Sequence, residues 1–152
     1  MKQTALLIPE VFDMIRKQGD NTEAKIKLMQ ENQTAAMLEV LQRGFGDCVS
    51  PYEKDFITYR PDDSPHGYPY TTVYKEYSRM EYFYYGPKFI DSQKIRERKL
   101  IGILESVHWT EANLLENMFT KKLSVYGLTK EIVKEAFPNL KIWGIIWMNA
   151  KT

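Results

Sequence analysis

The sequence predicts a mainly α fold: a single compact multi-helix domain carrying a long Pro- and Tyr-rich irregular segment. Three observations predict it. Apolar residues recur at three- and four-residue spacing through most of the chain, which places them on one face of a helix. Hydroxyl and amide side chains stand just ahead of those stripes, with Gly or Pro just behind, as helix starts and stops require. With 152 residues, 43% of them hydrophobic and 27% charged, the chain fits one domain and can bury a core without staples.

In the first element, LLIPEVFDMIRKQG, Ile8, Val11, Phe12 and Ile15 form one stripe, Pro9 suits the first turn and Gly19 the stop. The next apolar stretch is interrupted by QENQT at 30–34, where Asn32 can end one helix and Thr34 cap another, so two helices are expected, 22–31 and 34–44. Residues 45–72 hold no lasting period; Pro51, Pro61, Pro65 and Pro69 favour an extended path, with FITYR as one short strand. From Val73 the helical period returns. At 100° per residue, Val73, Tyr77, Met80 and Tyr84 share one face of a helix that Gly86 and Pro87 end. Another helix starts at Asp91 or Ser92 and buries Leu100, Ile103, Leu104 and Val107. Thr110 then caps a helix burying Leu114, Leu115, Met118 and Phe119, and Thr129 caps a short one that Pro138 terminates. The expected organisation is a helical domain over 1–140 with the irregular loop 45–72, followed by an apolar Trp-containing tail over 141–152.

Lys+Arg total 21 against 20 Asp+Glu, so no net field draws the chain onto nucleic acid or an anionic membrane. The single cysteine, Cys48, excludes an internal disulfide and a cysteine-based zinc site and fits a reducing compartment. Residues 1–12 lack the basic start and apolar stretch of a signal peptide. The longest apolar run, IWGIIWM at 142–148, is far shorter than the roughly 20 residues of a membrane span. The expectation is a cytoplasmic protein with no membrane partner.

Catalytic patterns are not met. Only two histidines occur, His66 and His108, and neither belongs to an H-E-x-x-H or H-x-x-E-H spacing. His108-Trp109-Thr110 has the form of half a two-histidine phosphodiesterase site, but His66-Gly67-Tyr68 is not its partner. A histidine at a helix end, stabilising the last carbonyls, is the plainer reading of His108. Asp62-Asp63 between prolines reads as a solvated turn, and Cys48 as a small hydrophobe. GFGDCVSP matches no phosphate-binding loop. No enzyme, metal or cofactor is expected.

Two contact surfaces are expected instead. Trp143 and Trp147 are four apart, as on one helical face, and with Ile146 they make the tail either a segment packed on its own domain or, the favoured reading, a docking device for a partner. Tyr74, Tyr82 and Tyr85 fall on a flank that a single buried stripe does not need. Beside them, Lys88, Lys94, Arg96, Arg98 and Lys99 crowd the first half of a helix, where the macrodipole disfavours cations. They either pair with acidic groups of neighbouring helices or form an anion-facing, nucleic-acid-binding corner in which rings stack bases.

The segments VYKEYSRMEYFYYG, QKIRERKLIGILESVHWTEANLL and KKLSVYGLTKEIVKEAFPNL are similar to a family of small uncharacterised proteins of large tailed bacteriophages, T-even-like and cyanophage-type. In that family an aromatic helix precedes an Arg-rich helix and an "LLES-x-H" turn, and a "KKL…GLT…V-x-EAFP" ending follows. The resemblance spans nearly the whole chain and implies a phage origin; it supplies no activity, cofactor or catalytic residue. The expectation is a phage accessory protein that acts by protein–protein interaction in the host cytoplasm. Its partner is a phage or host protein, with self-association as one alternative, a virion or assembly component as another, and nucleic-acid binding as a third.

Overall fold

The computed structural model describes residues 6–62 and 69–140. Seven α-helices are present there: α1 Ile8–Arg16, α2 Thr22–Glu31, α3 Ala35–Phe45, α4 Val73–Glu76, α5 Gln93–Leu104, α6 Trp109–Phe119 and α7 Lys130–Ala136. Two 3-10 segments, Tyr77–Phe83 and Leu123–Tyr126, complete the order. Among the described residues there is no strand, only one isolated parallel bridge between Asp62 and His108. FITYR stays irregular.

Local chemistry sets the boundaries. Asn21, Thr34, Ser92 and Thr129 each accept a backbone N–H three residues on, at 3.1–3.3 Å, satisfying amides that a helix start leaves open. At α1 the Glu10 carboxylate reaches back to the Leu7 N–H at 2.7 Å, and Pro9 occupies the first turn. Gly19 and Gly127 turn the chain at φ 62° and 76°, where L side chains are strained.

Helices α3 and α6 pack on each other at the centre, α1 lies against α2 and α6, and α7 lies against α2. The core runs from Ile8, Val11, Phe12 and Ile15 through Met37, Val40 and Leu41 to Leu100, Leu104, Leu114, Leu115, Met118 and Phe119. Gly44 lets α3 approach the 3-10 segment after α6, since a Cβ there would lie 2.1 Å from Leu123 Cδ1.

The aromatic segment departs from the expected single helix. It makes one α turn and then tightens to three residues per turn, which stacks Met80 and Phe83 inward together. Tyr84 follows in an extended conformation and also points in, so two adjacent rings are buried that one α-helical face could not have shared. Tyr77 is left half-buried.

Phe119 is the hub of the cluster that results. Tyr84 stacks on it at 5.0 Å and 17°, while Tyr52, Phe56 and Phe83 meet it at 5.9–6.3 Å. Two of those rings come from the irregular segment, so aromatic packing rather than backbone pairing seats that loop. Polar ties add to it: the Arg60 N–H donates to Glu105, and Lys121 Nζ caps α3 by donating to the Arg43 and Gly46 carbonyls at 2.7 and 3.0 Å.

Candidate functional site

One cation of the expected basic, Tyr-rich corner is drawn inside. Arg96 is 7% exposed. Its Nε donates to the Tyr52 hydroxyl and its Nη1 to the Ile90 carbonyl, both at 2.8 Å, and the guanidinium lies 4.7 Å from the centre of the Phe89 ring. It clamps the loop onto the start of α5, and the ring and carbonyls around it replace the phosphate it was expected to face. Lys88 is exposed, 3.9 Å from the Glu81 carboxylate. Lys94, Arg98 and Lys99 stand exposed on α5. Of the rings, Tyr85 is exposed and tilted against Phe89 at 4.7 Å. Tyr82 is half-buried, and so is Tyr74, whose hydroxyl donates to the Leu6 carbonyl. Trp143, Ile146 and Trp147 lie outside the described residues, as do His66 and Asp63.

His108 does not close a helix; it opens one. Helix α5 stops at Leu104 and a short turn intervenes, so His108 is the N-cap of α6, with Nδ1 accepting the Thr110 N–H at 3.2 Å and lying 2.7 Å from Thr110 Oγ1. The His-x-Thr pair is thereby used in capping, and the cap is two residues earlier than Thr110 predicts. Cys48 sits half-buried, with Arg43 Nη1 3.5 Å from its sulfur. Among the described residues no three His, Cys, Asp or Glu side chains gather as a metal would need, and no helix is long and apolar enough to cross a membrane.

A concave surface lies between α1 and α6. The α1 stripe faces inward and leaves Met14 at its outer edge; on α6, Trp109, Asn113 and Asn117 recur every four residues along the side opposite Leu114, Leu115 and Met118. The 3-10 segment closes one end with Val125 and Tyr126. Together they line a groove of about 720 Å³. Its large apolar side chains are open to solvent: Leu6 at 42%, Met14 at 36%, Trp109 at 46% and Val125 at 54%. Polar groups rim it, including Asn117, whose amide donates to the Tyr126 hydroxyl at 3.3 Å. Asp13 is held by Arg16 and Lys17, whose hydrogen bonds keep its carboxyl below the ordinary carboxylate value. None of the groove's exposed apolar residues belongs to the surfaces expected from sequence. The available signal was Trp109, a large ring off the buried stripe of its own helix.

Behind the groove, Glu111 is fully buried and accepts the Val73 N–H at 3.2 Å. Burial pushes its carboxyl up to about 7, against the Val73 hydrogen bond and with help from Glu10.

No curated protein matches the chain, and no solved structure does. A family model does match, over residues 11–125, which takes in α1 from Val11 onward and all of α2 to α6, leaves Leu6, Pro9, Glu10 and Tyr126 of the groove outside, and stops short of α7. That stretch is most of the chain, and the protein therefore belongs to DUF6433, a family of unknown function.

Proposed function

We propose that this protein works by binding another protein, without catalysis of its own, and that the α1–α6 groove is the contact. The observation that carries the reading is the set of four large apolar side chains, Leu6, Met14, Trp109 and Val125, exposed along one concave surface. Such patches on a small domain mark interaction sites, and tryptophan is enriched among residues that dominate binding energy. A groove between two helices suits an amphipathic helix laid along it, read through anchors on one face. The tail, with Trp143, Ile146 and Trp147, is a second contact in this reading.

The motif resemblance supports a tailed-phage origin, and with it action on a phage or host protein inside the infected cell. Arg96 in the interior lowers the case for a nucleic-acid surface, because one of the five cations expected to face phosphate is engaged inside instead.

The test is capture from infected cells by tagged wild-type and Trp109→Ala proteins, read by quantitative mass spectrometry. A partner enriched by the wild type and lost with Trp109→Ala is the expected result. Equal recovery by both removes the groove from the interaction. Detection of the chain in purified particles would move the reading to a virion component.

A further inference from the structure

The first turn of α6 faces two ways. Trp109 and Thr110 line the groove, whereas Glu111 turns into the protein. Its Oε2 accepts the Val73 N–H, the first amide of α4, and its Oε1 has no hydrogen-bond partner among the described residues. The next residue, Tyr74, donates its hydroxyl to the carbonyl of Leu6, which lines the opposite wall. Two consecutive residues of α4 thus tie both walls from behind, one to α6 through Glu111 and one to the segment entering α1.

We infer that Glu111 is a proton-operated latch that regulates this groove. The inference rests on the groove being the binding surface. With the carboxyl neutral, α4 is seated as a strut and Leu6 and Trp109 are held in register. With the carboxylate formed, an unpaired charge is buried behind the wall, and opening the strut to water relieves it.

The groups facing the carboxyl fit this assignment. From α1 comes Glu10, a like charge that raises the Glu111 value. From α4 come the Val73 N–H, which lowers it, and Tyr74, whose hydroxyl is itself pushed up by burial and so stays neutral. None of these is a cation. The raised carboxyl fixes the sign: its stabilising contribution is fully present below about 4.5, the unfolded value, and is lost as pH rises through about 7.

The experiment is an NMR and thermal titration of the full chain between pH 5 and 8.5. The melting midpoint should fall by several degrees across that range. Exchange protection at the Val73 and Tyr74 amides, corrected for intrinsic base catalysis, should drop by about tenfold or more. The Trp109 indole resonance should move with the same midpoint. Glu111→Gln should abolish all three changes. If that variant does not fold, Glu10→Gln should shift the midpoint to lower pH. A Glu111→Gln protein that keeps the wild-type profile overturns the latch, and so does an indole resonance that stays flat through the titration. Partner capture unaffected by Trp109→Ala strikes the groove reading alone, so the two failures are told apart.

Discussion

The two faces of this domain invert the usual rule of polarity. On the face built from α5 and the loop, a cation is drawn inside: Arg96 is 7% exposed, wrapped by Tyr52, Phe89 and backbone carbonyls. On the face built from α1 and α6, an indole is left outside at 46% exposure. The difference separates what the fold needs from what it tolerates. An irregular segment supplies few of its own hydrogen bonds, so rings and a guanidinium must hold it. Two regular helices with satisfied backbones need no such help, and their outer apolar groups are free to serve a partner.

The comparison can be broken where the loop is held. Phe119→Ala removes the ring on which Tyr52, Phe56, Phe83 and Tyr84 converge and should cost about 3–5 kcal/mol in urea unfolding. A loss near zero would mean that the loop is seated by something else. Arg96→Ala leaves the Tyr52 hydroxyl and the Ile90 carbonyl without their charged donor and should cost about 1.5–3 kcal/mol. Arg96→Lys should recover only part of that, because an ammonium cannot span both acceptors and lie on a ring. The smallest effect belongs to the other face. Trp109→Ala should change stability by less than about 0.5 kcal/mol while removing partner capture. A large destabilisation there would make the indole structural and erase the contrast.

Much of the helical frame is legible in the chain because its signals are local. The break at QENQT separates α2 from α3 as expected, and Thr34 and Thr129 cap where their hydroxyls stand. The inward faces of α5 and α6 follow their stripes, Leu100, Ile103 and Leu104 on one and Leu114, Leu115 and Met118 on the other. What was not legible depends on tertiary contact. The run around Tyr82–Tyr85 looks helical, yet Phe83 and Tyr84 are both buried because the helix ends at Phe83 and Tyr84 follows in an extended conformation. Arg96 reads as a surface cation until Tyr52, forty-four residues away in sequence, supplies the acceptor. The groove is invisible for the same reason, since Leu6, Met14, Trp109 and Val125 come from three separate stretches.

Helix α2 depends on the far end of the chain. Lys25 donates to the Gly127 carbonyl across 102 positions, and Gln30 to the Ala136 carbonyl across 106. On the ribosome, at roughly 5–20 residues per second, the complement of this helix emerges some seconds to tens of seconds after it does. Throughout that interval Met29 and its neighbours lack the surface that covers them in the finished protein. Closure of this seam is thus timed by synthesis of α7, and a chain interrupted before Lys130 would be released with it open.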